Sequence, residues 1–114
     1  MLDTQNNSPL IKNRADMVAV LASGNKPKER WRIGTEHEKF VFYKKNNLPV
    51  PYEGEHGIKA LLLATQKKTG WLELMDGEAI IGLKDPSGGG AISLEPGGQF
   101  ELSGAPLQTV FQTC

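Results

Sequence analysis

The spacing of turn residues constrains this chain more than any other feature. Asn46-Asn47 with Pro49 and Pro51, Asp76-Gly77, the run Asp85–Gly90 and Pro96-Gly97-Gly98 cut the sequence into short apolar runs. Segments so short and so closely linked pair as antiparallel neighbours, because a parallel pair needs a crossover of about a dozen residues or more. The expected class is therefore α+β, an antiparallel sheet with flanking helices, rather than a doubly wound sheet. Five strands are expected: Trp31–Tyr43, Trp71–Met75, Glu78–Leu83, Ala91–Glu95 and Gln99–Leu102. The first is rich in aromatic and β-branched residues and has no proline. Asp-Gly between two apolar runs is a hairpin signal, which places a tight turn at Asp76-Gly77.

Helix signals fall outside these runs. Asn13 suits an N-cap, Asp16 suits the first turn, and Met17, Val18 and Leu21 share a face before a stop at Gly24. Ser8-Pro9 offers an alternative start. Gly57–Thr69 reads as a second helix, its rows traced by Ile58, Leu61 and Leu62, its apolar surface mostly from Leu61–Leu63, and its end at Gly70. Pro106 is expected to open a third helix running to Cys114. Residues 1–12 read as a polar leader and Asn25–Arg30 as a basic connector. Gly88–Gly90 lacks the G-K-[ST] ending of a phosphate loop, so Asp85–Gly90 reads as a flexible connector.

Length and charge narrow the function classes. A chain of 114 residues is one small domain at most, or a piece of a larger one. Lys plus Arg total 13 and Asp plus Glu total 13, a balance that argues against a nonspecific nucleic-acid binder. No apolar run approaches the ~20 residues of a membrane span. The first residues, MLDTQNNSPL, have neither the basic head and apolar block of a secretory signal nor the Arg- and Ser-rich bias of a transit peptide. Cys114 is the single cysteine, so no internal disulfide forms. Together these features set the expectation of a soluble cytoplasmic protein.

Two stretches carry candidate chemistry. In Arg32–Phe40, strand alternation would place Glu36 and Glu38 on one face with Gly34 and Phe40, and Ile33, Thr35, His37 and Lys39 on the other. Two carboxylates roughly 6–7 Å apart along a strand repel unless a positive group sits beside them, and a hard cation such as Mg²⁺ fills that role with oxygen ligands. In Ser93–Gly104, Glu95 and Glu101 flank Pro96-Gly97-Gly98, and a tight connection there could bring both carboxylates to one site. Spacing alone favours a solvated face and a plain turn in these two places. His37 has no second histidine at zinc spacing.

Three segments taken together are more specific than the glutamates alone. Lys26–Phe42 (KPKERWRIGTEHEKFVF), Ile80–Leu83 (IIGL) and Ile92–Leu107 (ISLEPGGQFELSGAPL) resemble glutamate–cysteine ligase of the type found in plants and many proteobacteria. The resemblance runs from about Asn13 to Cys114. It implies that residues 13–114 form an N-terminal part of a much longer catalytic domain, with a partial glutamine-synthetase-like carboxylate–amine ligase core. The implied activity is ATP-dependent joining of the glutamate γ-carboxylate to the cysteine amine, the first step of glutathione synthesis. The γ-carboxylate attacks the terminal phosphorus of ATP and releases ADP; the cysteine amine then displaces phosphate from the acyl phosphate. Glutamate, cysteine and ATP are the implied small-molecule partners, with neither nucleic acid nor membrane involved, and Mg²⁺ the implied metal. Glu36, Glu38, Glu95 and Glu101 match the family's metal-holding strands. Gln99, Ser103 and Arg32 are the expected substrate-side residues, and no residue is assigned a catalytic role. Phe111 departs from the histidine expected before the Gln-Thr segment. The chain alone is expected to be inactive and to need a complementing downstream chain. A noncatalytic metal- or nucleotide-binding remnant and another ATP-dependent γ-glutamyl ligase are the alternatives.

Overall fold

The computed structural model describes residues 10–114, so the first nine residues of the expected leader, with the alternative Ser8-Pro9 helix start, lie outside it. The chain divides into two compact units, Met1–Trp31 and Arg32–Cys114. In the first, helix α1 spans Arg14–Ser23 and is capped by Asn13, whose side chain accepts from the Asp16 N–H at 3.0 Å. Asp16 reaches back to the Lys12 N–H at 2.8 Å. Cap and stop fall where expected, yet Met17, Val18 and Leu21 are all exposed, so the apolar face is not buried. The basic connector closes into a single 3₁₀ turn, Lys28–Arg30, and the Trp31 indole N–H donates to the Lys26 carbonyl.

The second unit is the expected antiparallel sheet. Its strands are β1 (Glu36–Lys39), β2 (Leu72–Asp76), β3 (Ala79–Lys84), β4 (Gly90–Glu95) and β5 (Gln99–Gly104), in the spatial order β1-β5-β4-β3-β2. Strands β2 to β5 form a meander of hairpins. Helix α2 (Ile58–Thr69) lies between β1 and β2 in sequence, and these strands form the two edges of the sheet.

The first strand is much shorter than the expected Trp31–Tyr43. It pairs only with β5, in the register Glu36↔Ser103 to Lys39↔Phe100, and the partner begins at Gln99. Outside that overlap the same residues find other partners. Ile33 bridges Leu107, Phe42 bridges Pro49, and the chain turns through Asn47, which adopts a left-handed φ of 56°. The terminal helix α3 is shorter as well, Val110–Thr113. Leu107 is committed to Ile33, and a capping box between Thr109 and Gln112 sets the start after it.

The β2–β3 hairpin turns through Gly77-Glu78, flanked by the pair Asp76↔Ala79. Gly77 has a φ of 58° and Glu78 does not share the left-handed region, the pattern of a type II′ turn with glycine first. Further along, the register shifts between Leu74 and Met75, leaving Ile81 as an extra residue on β3. This bulge lets Ile80 and Leu83, three positions apart, both enter the core with Ile58 and Leu62 of α2. Gly82 beside it has no room for a side chain, since a Cβ there would run into the Ile92 carbonyl oxygen of β4. Tyr52 donates its hydroxyl to the Ile80 carbonyl at 2.9 Å, beyond the last β3–β4 pair.

Asp85 organises the loop between β3 and β4. Its carboxylate accepts from the Ser87 hydroxyl, the Ser87 N–H and the Gly89 N–H at 2.7, 2.8 and 3.1 Å. The Ser87 hydroxyl, then its N–H, hold the carboxyl below its ordinary value of 3.8. A carboxyl depressed on folding stabilises the folded state above its ordinary range, and that contribution is lost as pH falls through the folded value. Ser87→Ala is expected to move the Asp85 titration back up toward 3.8, read by NMR of the side-chain carboxyl carbon. A wild-type Asp85 that titrates at or above 3.8 contradicts this account of the loop.

Candidate functional site

The registers place every expected glutamate on one side of the sheet. Side chains two apart on a strand share a face, as do directly paired residues on neighbouring strands. Three rows result across β4, β5 and β1: Ala91, Ser103 and Glu36; then Ser93, Glu101 and Glu38; then Glu95 with Gln99. Leu83, Ile92, Leu94 and Phe100 occupy the opposite side, toward α2. A core on one face thus fixes which residues the other face presents.

Three of the four carboxylates have a dedicated neutral donor. Gln99 Nε2 donates to Glu38 Oε2 at 2.7 Å, across the β5–β1 junction. Ser103 Oγ donates to Glu101 Oε1 at 2.6 Å, and Ser93 Oγ donates to Glu95 Oε1 at 2.7 Å. Gln99 and Ser103, expected on the substrate side, therefore spend these donors on carboxylates. Ser93 has no place among the expected site residues. The signal for it was present, since Ser93-Leu94-Glu95 and Glu101-Leu102-Ser103 are mirrored pairs that a strand puts on one face. Arg32 precedes β1 beside Ile33 and is not part of the three rows.

The middle row is electrostatically costly. Glu38 and Glu101 face each other directly, at about 5 Å between Cβ atoms for such a pair, and opposed like charges are destabilising. Glu101 is only 9% exposed. Among the described residues no lysine is ion-paired to any of the four glutamates. The donors are all oxygens, the set a hard divalent cation takes. Among the described residues no three His, Cys, Asp or Glu side chains gather into one chelate. The face thus offers pairs of carboxylates, the donor set that suits Mg²⁺, which keeps waters and shares substrate phosphates.

The reverse side differs in character. An open pocket of about 550 Å³ is lined by His37, Lys39, Phe40, Phe42, Phe100 and Leu102, among others. Phe40, expected beside Glu36 and Glu38, is found here because β1 ends at Lys39 and its alternation stops there.

Comparison with known proteins agrees with the sequence resemblance. The model of Glutamate-cysteine ligase family 2 matches residues 32–114. The chloroplastic glutamate–cysteine ligase of Nicotiana tabacum is 56% identical over 106 residues, 93% of this chain and 19% of the relative. That of Brassica juncea is 54% identical over 101 residues, 89% of this chain and 19% of the relative. The chloroplastic glutamate–cysteine ligase A of Oryza sativa subsp. japonica is 50% identical over 110 residues, 96% and 21% of the two. The chain spans about a fifth of the length of the curated relatives it matches. These relatives are chloroplastic by name, which overturns the expected cytoplasmic location. No helix among the described residues is long and apolar enough to cross a membrane. By this match over most of its length, the chain belongs to Glutamate-cysteine ligase family 2.

Proposed function

We propose that residues 13–114, preceded by a leader over 1–12, supply an N-terminal part of a catalytic domain that joins the glutamate γ-carboxylate to the cysteine amine at the expense of ATP. The observation that carries this reading is the middle row, where Glu38 directly opposes Glu101 and the two carboxylates are held by Gln99 and Ser103. A sequence keeps such a conflict where a ligand resolves it. Mg²⁺, when bound, neutralises phosphate oxygens and aligns them for displacement. Pairs drawn from Glu36, Glu38, Glu95 and Glu101 would hold it, with waters and substrate phosphates completing its shell, on strands that leave the carboxylates little freedom. Gln99 and Ser103 fix two of those carboxylates and face the same space, so they remain within reach of substrate. Arg32 is assigned to an anionic group of the substrate. The antiparallel sheet would be one part of a glutamine-synthetase-like core, completed by the rest of the ligase as partner. The relatives' chloroplast location is the one that this reading carries over.

Exchange of the matching segment of the tobacco ligase for this chain tests the proposal. The hybrid is expected to make γ-glutamylcysteine with ATP and Mg²⁺, and the 114-residue chain alone to make none. A folded hybrid without turnover, or turnover by the short chain, contradicts the reading.

A further inference from the structure

We propose that the outer edge of β1 receives a strand from the part of the ligase outside the span matched here, and that this strand covers the aromatic groove on the reverse side of the sheet. The inference rests on the reading of this chain as one part of a longer catalytic domain, and it names where another part joins.

Strand β1 is an edge, paired with β5 on one side only. Ile33 and Leu107 exchange both backbone hydrogen bonds, at 2.7 and 2.8 Å, and the Gly104 N–H donates to the Thr35 carbonyl at 2.7 Å. Alternation of the antiparallel ladder then turns the backbone groups of His37 and Lys39 toward β5, and those of Glu36 and Glu38 outward. A row of outward N–H and C=O groups is a template for a further strand. Beside it, Phe40, Phe42 and Leu102 are 58%, 53% and 42% exposed and line the pocket of about 550 Å³. One added strand satisfies both features. Its backbone bonds Glu36 and Glu38, and its alternate side chains enter the groove.

The charges on β1 select the occupant. A second copy of this chain would add its own β1 about a two-fold axis. Such antiparallel pairing keeps like faces together, so its centre falls on a residue. Centred on His37, it sets Glu36 against Glu38 of the second copy, twice. Centred on Glu36, Glu38 or Lys39, it sets that charged residue against itself. Every two-fold register centred within β1 therefore opposes like charges, which is destabilising. The chain spans about a fifth of the length of the relatives it matches, so about four fifths of such a ligase is available to supply the strand. The strand that fits alternates apolar residues toward the groove with neutral or basic residues toward the glutamates.

Residue-resolved amide hydrogen exchange in the 114-residue chain and in the tobacco hybrid tests this. In the chain alone, the Glu36 and Glu38 amides are expected to exchange about tenfold or more faster than those of His37 and Lys39, which are bonded to β5. In the hybrid the difference is expected to close to within about threefold, because the added strand protects the outward amides. Glu36 and Glu38 amides that stay faster in a folded hybrid overturn the proposal. A difference that closes in the chain alone as its concentration rises also overturns it, since a second copy then takes the edge. Where the hybrid does not fold, the unmodified tobacco ligase gives the same reading at the two aligned positions. Turnover is scored separately. Protection without turnover leaves the docking edge standing and overturns the proposed activity; turnover without protection does the reverse.

Discussion

Glu101→Gln is expected to cut γ-glutamylcysteine formation by roughly a hundredfold or more in the tobacco hybrid. Losing one preorganised electrostatic contact to a reacting centre typically costs this much. The substitution keeps the shape of the side chain and leaves an oxygen to accept from Ser103, so the sheet is expected to persist. What disappears is one of the two charges that face each other in the middle row. Turnover measured against Mg²⁺ concentration separates the two ways activity can fall. A loss recovered at high Mg²⁺ marks weakened cation binding; a loss that persists marks a misplaced charge. Unaltered turnover at every Mg²⁺ concentration contradicts the role given to Glu101.

The second large effect concerns stability. Leu62→Ala is expected to destabilise the chain by about 3 kcal/mol, the middle of the range for a leucine deleted from a packed core. Leu62 is fully buried against Ile58, Ile80 and Leu83, and these four residues are the whole of the fully buried apolar core among the described residues. At roughly 0.05–0.15 kcal/mol per residue, the Arg32–Cys114 unit holds on the order of 4–12 kcal/mol in total, so one leucine removes a large share. Leu61→Ala is the internal control. Its side chain is 40% exposed, and the expected cost is about 1 kcal/mol or less. Urea midpoints followed by circular dichroism compare the two. Equal costs at Leu61 and Leu62 contradict the placement of the core.

That contrast shows where sequence reasoning reached its limit. Gly57–Thr69 was legible as a helix with Leu61–Leu63 as its apolar surface, and α2 is indeed Ile58–Thr69. Which leucine is buried depends on the bulge at Ile81, which turns Ile80 toward the helix and follows from strand register. Asn13, and the hairpin turn to within one residue (expected at Asp76-Gly77, found at Gly77-Glu78), were legible because turns and caps are local chemistry, settled within four or five residues. Trp31–Tyr43 was over-extended for the opposite reason. Its residues have strand propensity throughout, but strand length is set by the partner, and β5 offers only the overlap from Ser103 to Phe100. The α3 start shifted likewise, because Leu107 is claimed by Ile33 from far along the chain.

The glutamates follow the same division. Glu36 and Glu38 share a face by strand period alone. That Glu101 lies opposite Glu38, and that Gln99 reaches across to it, needs the β1–β5 register, which has no local signature. The Ser93–Glu95 and Glu101–Ser103 pairs were readable from their spacing of two. Their direction of donation follows from chemistry, since an ionised carboxylate only accepts. Family resemblance supplied the functional class because long motifs in order carry information that periodicity does not.

An EPR titration of Mn²⁺ with ATP into the 114-residue chain, set against the double variant Glu38→Gln with Glu101→Gln, tests the central claim most directly. The account predicts that the double variant binds at least about tenfold more weakly, since two ligands to one cation are neutralised together. It also predicts a thermal midpoint that is unchanged or slightly raised, because opposed like charges no longer repel across the strands. Equal Mn²⁺ affinity in the two chains, with both folded, contradicts it.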